Sequence, residues 1–334
     1  MREVAALARV SLKTVSRVIN SEPSVTATLR SRVQAAVENL DYRSNLHASC
    51  LRRADGKSGT IGLLLPDVGN AFSSTLHREI ANVALEHGVL VFAGSWDEDE
   101  KRGLALIAAF TSHRVDGLII VATSRDRSLL LGERSAGTAM VFVDRPPPRF
   151  DSDAVLTDDC GGVRAGVRHL IAHGHRRIGF LGGPASISTV RLRYHGYKEE
   201  LEAHGLSLDR QLVRLDLRDS HSVESAALEL TSRSTRATAL FTSQNMITLS
   251  SYRAVRKRDL QRQVALVGFD DSLLPDCVAQ AITVVAPDPV TLGRASAELL
   301  FRRIDGDHSP TVHRLLPTRL IARGSGEVSQ DAGH

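Results

Sequence analysis

Residues 1–20, MREVAALARVSLKTVSRVIN, decide how this 334-residue chain is organised. Val4, Ala5 and Ala8 fall at i, i+1 and i+4, while Val15, Val18 and Ile19 fall at i, i+3 and i+4, with Val10 between the groups. Two short apolar stripes at helical spacing, separated by a tight turn, close on each other as a helix, a turn and a second helix. Ser11 stands where its oxygen caps the N–H groups that open the second helix. Behind Ser11, the face left over carries Leu12, Lys13, Thr14, Ser16, Arg17 and Asn20. Hydroxyls and amides suit base edges and phosphates, and Lys and Arg suit phosphates or guanine. An amphipathic hairpin that never meets DNA has the same apolar pattern, so the rest of the chain must decide.

A third amphipathic helix is predicted from Thr26 to Leu40, with Val25, Leu29, Val33, Val37 and Leu40 as its stripe, after the loop SEPSV. Three helices suffice for a small core. Charge concentrates in the same region: residues 1–57 hold ten Lys or Arg against five acids, a net +5. The whole chain carries only +4, so everything after residue 57 sums to −1. A polyanion would be met at the headpiece.

The segment VSLKTVSRVIN (10–20), followed by VTATLRSRVQAAVENLDYRSN (25–45) and ASCL (48–51), resembles the LacI/GalR family of bacterial transcription regulators. The resemblance implies that the helix starting near Ser11 enters the major groove of double-stranded operator DNA. It also implies a hinge helix at about 44–53, carrying Asn45 and Ala48, that orders on the operator, with Leu51 wedged into a base step from the minor groove. Interdomain packing is the alternative for Leu51. Three positions depart from the family pattern. Arg9 replaces a turn Gly where positive φ is favoured, at a cost of about 1 kcal/mol, Ser44 replaces a Pro, and Met1 leaves the first helix without a polar cap, as expected of a clipped or fraying start.

From Thr60 onward, apolar runs alternate with longer amphipathic stretches: TIGLLLP, VLVFAG, DGLIIVA, AMVFVD, RIGFLGG, ATALFTS and VALVGFD. Such runs read as parallel strands buried on both faces and joined by crossover helices. This region exceeds one ordinary core, so two α/β subdomains are expected. Asp144–Pro148 reads as the end of the first subdomain, with a further boundary near Asp158 to Gly162. The expected architecture is a small all-α helix-turn-helix headpiece followed by an α/β periplasmic-binding-protein-like (type I) domain of two parallel-sheet subdomains. The headpiece takes 1–57, the effector-binding and dimerisation domain 58–326, and a polar tail 327–334. Within the larger domain, the first subdomain takes about 58–158 and 288–311, and the second about 159–287 and 312–326.

Ligands of open α/β sheets collect beyond the carboxyl ends of the strands. Those ends are polar here: Asp67 and Asn70, Asp144 and Arg145, Ser243 to Asn245, and Asp270 with Asp271. Phe72 and Trp96 are the aromatic side chains nearest the first two strand ends and suit stacking on a sugar or base face, with core packing or a solvent-facing loop as the alternative for each; of the two, Phe72 is taken as the candidate. The family resemblance implies that Arg193 and Asp270 contact an effector, with Asp144 at a further cleft position. A guanidinium and a carboxylate each grip paired hydroxyls, so the expected effector is a carbohydrate, held by Asn70, Phe72, Asp144, Arg193, Gln244 and Asp270. Arg193 and Asp270 are expected to hold it from opposite walls. Gln244-Asn245 stands where many relatives carry Asn-Asp, and Pro287 where some carry a hydrogen-bonding side chain, so the specificity is this chain's own.

Enzyme signatures are missing from the sequence: no GxSxG, HExxH or Walker loop occurs, and Asp270 and Asp271, adjacent on one loop, do not straddle a bond. No cofactor is expected, and no metal: His173 and His175 lack a third ligand at metal spacing, and Cys50, Cys160 and Cys277 form no zinc or disulfide framework. No signal peptide or apolar run of membrane length occurs, which points to the cytoplasm. An exported sugar-binding protein of an uptake system shares the larger fold and is the alternative, but it has no use for a basic helical headpiece. One headpiece covers few base pairs, and the tail lacks apolar heptads for a tetramerising bundle. A homodimer on a pseudo-palindromic operator is therefore expected.

Overall fold

A computed structural model of the chain describes residues 1–19, 25–42, 57–122, 128–148, 150–271 and 281–330. Asn20, Asn45, Ala48, Leu51 and the expected hinge helix at 44–53 lie outside the described residues. Two compact units form, Met1–Gly59 and Thr60–His334.

In the first unit, α1 (Arg2–Leu7), α2 (Leu12–Ile19) and α3 (Ala27–Asn39) enclose a core of Val4, Ala5, Ala8, Val15, Val18, Val33 and Ala36. Ser11 caps α2 as its position suggests, its Oγ accepting from the Thr14 N–H at 3.1 Å. The intervening turn sets Arg9 at φ 48°, the left-handed conformation that favours glycine. Arg32 of α3 braces this turn, donating to the Ala8 carbonyl at 2.6 Å and the Arg9 carbonyl at 3.4 Å. Leu40 departs from its expected core role. It caps the C-terminus of α3 and is 39% exposed, while Ala36, Val37 and Tyr42 pack inward instead.

The second unit is built on two six-stranded sheets. The first uses β1 (Thr60–Leu65), β2 (Leu90–Ser95), β3 (Gly117–Ile120), β4 (Ala139–Asp144), β5 (Asp153–Thr157) and β11 (His313–Leu316). The second uses β6 (Ile178–Leu181), β7 (Val213–Arg214), β8 (Ala239–Thr242), β9 (Ala265–Phe269), β10 (Thr283–Ala286) and β12 (Arg319–Ile321). Their spatial orders, β11-β5-β4-β3-β1-β2 and β12-β10-β9-β8-β6-β7, are the same order written twice. Every pairing is parallel except β10 with β12.

Alternate residues of each strand face opposite layers of helix, as a two-residue period requires. On one face of the first sheet, Ile61, Leu63 and Leu65 meet α4 (Ala71–Glu86) and α11 (Pro289–Ile304) through Leu76, Ile80, Leu292 and Leu300. On the other, Leu64, Leu118 and Ile120 meet Ile107 and Phe110 of α5 (Glu100–Ser112), and the first half is completed by α6 (Ser128–Ser135). In the second sheet, Phe180, Phe241 and Phe269 pack with α7 (Asp159–Ala172) and α8 (Ser188–Ala203). Leu181, Leu240 and Leu266 pack with α9 (Ser220–Leu230) and α10 (Asn245–Lys257).

Three sequence expectations need correction. Asp144–Pro148 does not end the first half, because β5 returns beside β4 in the same sheet. The strand His313–Leu316, assigned to the second subdomain, pairs with β5 of the first sheet from His313↔Ala154 to Leu316↔Thr157, so the last passage between halves falls after Leu316 rather than at 312. VLVFAG is not buried on both faces. It supplies the edge strand β2, where Leu90 is 53% and Phe92 39% exposed.

Candidate functional site

On the headpiece, Leu12 and Lys13 at the start of α2 are exposed behind Ser11. Thr14, Ser16 and Arg17 are half-buried on its flank, and the Ser11 and Thr14 hydroxyls are hydrogen-bonded at 2.9 Å. The helix thus shows a short polar and cationic strip of the kind that fits a DNA groove. Leu12, 47% exposed, leaves apolar surface beside this strip.

In the larger unit, the carboxyl ends of both sheets open into one cavity of about 670 Å³. Asn70, Phe72, Asp144, Arg193, Gln244 and Asp270 all line it. Asn70, Phe72 and Asp144 belong to the first half, and Arg193, Gln244 and Asp270 to the second. Arg193 and Asp270 therefore share a wall instead of facing each other, with Nη1 3.7 Å from the Asp270 carboxylate.

Arg193 is fixed from several directions. Its Nε donates to Asp159 at 2.7 Å, its Nη1 donates to the Ser243 carbonyl at 2.6 Å, and its guanidinium lies 3.7 Å from the centroid of the Phe269 ring. Among the described residues Nη2 makes no hydrogen bond, so the guanidinium keeps donors for a ligand. Across the cavity, Arg145 is held by Glu98 through bonds of 3.1 and 2.6 Å, and its Nε lies 4.0 Å from Asp144. Each wall thus repeats one device: a strand-end Asp, an Arg, and a second carboxylate that clamps the Arg. The strand-end pair even shares a conformation, with φ 65° at Asp144 and 68° at Asp270.

The two devices carry more acid than base. Burial raises the carboxyl of Asp144, pushes Asp159 up to about 7 and Asp270 up to about 6, with Arg193 opposing each shift. Mutual repulsion adds to burial, since Asp144 raises both Asp159 and Asp270. The walls touch through a reciprocal amide pair. Asn70 Nδ2 donates to Asn245 Oδ1 and Asn245 Nδ2 donates to Asn70 Oδ1, both at 3.1 Å. Asn70 also caps α4, accepting from the Phe72 N–H at 3.0 Å.

Asp159, Glu98 and Asn245 are working members of this site beyond the six residues expected from sequence. Asp159 lies two residues past the end of β5, so the strand-end rule that found Asp144 and Asp270 had a signal there. Gln244 lines the cavity, and its neighbour Asn245 is the residue that spans the cleft. Asp271 is structural, its carboxylate gripped by Arg323 at 2.6 and 2.7 Å. Trp96 lies in the first core beneath Arg145. His175 is fully buried with both ring nitrogens engaged, by Thr238 Oγ1 at 3.0 Å and the Val328 carbonyl at 2.6 Å, and His173 Nδ1 lies 2.9 Å from the His169 carbonyl.

Comparison with known proteins agrees with this layout. Residues 1–45 match the family described as bacterial regulatory proteins, lacI family, and residues 167–326 match a periplasmic binding protein-like domain. The chain is 30% identical to the HTH-type transcriptional regulator GalR of Escherichia coli K12, covering 100% of this chain and 98% of that protein. It is 33% identical to the HTH-type transcriptional regulator CelR of Thermobifida fusca, over 97% of each. Among solved structures, the lac repressor dimer bound to operator and the anti-inducer ONPF superposes with a TM-score of 0.85 at 25% identity over 97% of each chain. A CelR–cellobiose complex superposes with a TM-score of 0.73 at 28% identity, covering 97% of this chain and 98% of that one. With a helix-turn-helix headpiece, a two-sheet ligand unit and relatives that match along its whole length, the chain belongs to the LacI family of bacterial transcriptional regulators.

Proposed function

We propose that this protein is a transcriptional repressor that binds a pseudo-palindromic operator as a homodimer in the cytoplasm and is controlled by a carbohydrate held in the cleft. It acts by binding, not by catalysis. Lys13, Arg17 and the hydroxyls of Ser11, Thr14 and Ser16 contact the major groove, with Leu12 against a base; Asn20, Asn45, Ala48 and Leu51 complete the interface. The observation that carries the ligand reading is the convergence of strand-end side chains from two sheets on a single cavity. The ribose operon repressor of Escherichia coli K12, 29% identical to this chain, supports a sugar by its name, as does the CelR–cellobiose complex.

The charge of the cavity narrows the class. Six carboxylates line it (Asp67, Asp97, Glu98, Asp144, Asp219 and Asp270) against three guanidiniums (Arg145, Arg193 and Arg218). A site with surplus acceptors favours a ligand rich in O–H donors and rejects an added anion. Neutral sugars therefore bind, and their phosphates bind more weakly. The ligand biases how the halves close, and operator affinity follows from its unequal affinity for the open and closed forms.

The test is a calorimetric screen of neutral sugars and sugar phosphates, followed by operator titration with each ligand that binds. The expected outcome is a neutral sugar that changes operator affinity and whose phosphate binds at least about tenfold more weakly, roughly 1.4 kcal/mol. Tighter binding of the phosphate overturns the assignment of ligand class. Operator affinity that does not fall with added salt, by about 0.9 log units per log unit of salt for each phosphate contacted, overturns the headpiece assignment.

A further inference from the structure

Away from the cleft, three metal-ligating side chains meet where α7 and α8 cross. Cys160 is in the first turn of α7, and His195 and Glu199 lie one turn apart on α8. The helices approach closely because residue 196 is glycine: a Cβ there would sit 2.5 Å from the Cys160 carbonyl oxygen. Cys160 Sγ is 3.2 Å from Glu199 Oε2, His195 Nδ1 is 3.5 Å from Glu199 Oε1, and all three ligand atoms fall within 4.8 Å of one another. His195 and Glu199 side chains are 57% and 42% exposed, so an ion has access.

We propose that Cys160, His195 and Glu199 form a binding site for a thiophilic divalent cation, Zn²⁺ by preference. Tetrahedral zinc has bonds of about 2.0 Å to nitrogen or oxygen and about 2.3 Å to sulfur, which places ligand atoms roughly 3.3–3.6 Å apart. The separations from Glu199, one to each carboxylate oxygen, are close to that spacing, and all three ligand atoms lie within 4.8 Å of one another. Thiolate with imidazole selects zinc over magnesium or calcium, whose preferred ligands are all oxygen. Three protein ligands leave the fourth position to water.

In the metal-free cluster, burial and Glu199 push the Cys160 thiol up to about 11, so the sulfur is protonated at neutral pH and zinc binding releases that proton to solvent. Arg164 opposes the cation, with Nη1 3.9 Å from Glu199, but its Nε is engaged by Glu200 at 3.0 Å. Cys160 directly follows Asp159, and His195 lies two residues beyond Arg193. A metal that pins this crossing therefore also fixes the backbone that presents the Asp159–Arg193 pair to the cleft.

The test is titration of the full-length protein with Co²⁺, whose thiolate bond gives a charge-transfer absorption, followed by competition with Zn²⁺. The expected result is one such site per chain that zinc displaces and that persists in a Cys50→Ser/Cys277→Ser variant. Cys160→Ser should abolish the absorption, and His195→Ala and Glu199→Gln should each weaken binding by at least about tenfold. Thermal melts without metal check that these variants fold. An absorption that survives Cys160→Ser, or native affinity in both His195→Ala and Glu199→Gln, overturns the proposal; so does failure of the folded native protein to bind either ion.

Discussion

Asp159→Asn tests the electrostatics of the cleft most directly. The Asp159 side chain is 1% exposed and receives the Nε bond of Arg193 at 2.7 Å. Burial outweighs that partner and, with Asp144 and Asp270 nearby, pushes its carboxyl from 3.8 to about 7. The folded protein therefore holds a proton that the unfolded chain releases. Stability from this group is fully present below pH 3.8 and is lost as pH rises through about 7. Each pK unit corresponds to about 1.4 kcal/mol, so between pH 5 and pH 8 the native protein should lose roughly 3 kcal/mol through Asp159.

Asparagine preserves the shape and its Oδ1 still accepts from Arg193, but it neither ionises nor repels Asp144 and Asp270. Arg193 keeps Asp270, the Ser243 carbonyl and the Phe269 ring. The stability of the variant relative to the native protein should accordingly rise by roughly 3 kcal/mol from pH 5 to pH 8. Urea unfolding followed by Trp96, the single tryptophan and a core residue, measures both proteins across that range. A stability difference that does not change with pH, or that moves against the variant as pH rises, refutes the argument that Asp159 retains a proton because it is buried beside other carboxylates.

Arg193→Ala should lower sugar affinity by about 1–3 kcal/mol, or one to two decades, by leaving ligand oxygens unpaired, while effector-free operator binding survives; calorimetry alongside operator titration separates the two. Asn245→Ala removes both cross-cleft amide bonds, each contributing about 1 kcal/mol, and should shift the population toward open forms by roughly thirtyfold, seen as faster amide exchange at the strand ends lining the cavity. Arg32→Ala should destabilise the headpiece by about 1–2 kcal/mol, because the Ala8 and Arg9 carbonyls lose a charged donor. Its signature is faster amide exchange in residues 2–19 with sugar binding unchanged; equal protection in both proteins would show that the turn stands without its brace.

Much of this architecture was legible because burial writes itself into sequence. Seven apolar runs gave β1, β2, β3, β4, β6, β8 and β9, whereas DAVLT, VR, TVVA, HRLL and RLI passed unread. VR and RLI are shorter than any strand that was read, and HRLL, VR and RLI sit at sheet edges where one flank needs no apolar partner. The six cleft residues were found for a related reason: a parallel sheet places its carboxyl ends together, so polar residues just past apolar runs converge. What the strands could not give was the arrangement of the walls. Arg193 is a helical residue, and only the packing of α8 on Phe269 brings its guanidinium to Asp270. Asn245 reaches Asn70 from the first residue of α10, a helix boundary that the apolar pattern does not mark. The repeat between halves was equally hidden, since Asp144 and Asp270 precede unlike sequences, DRPPP and DDSLL. Yet that repeat explains the site. Two copies of one fold, each placing an Asp at or just past the end of β4 or β9 beside a clamped Arg, face each other with acceptors in surplus. A ligand that bridges them must supply donors to both ends, and a ring of hydroxyls does so without bringing a charge into a cavity whose own carboxyls already resist ionisation.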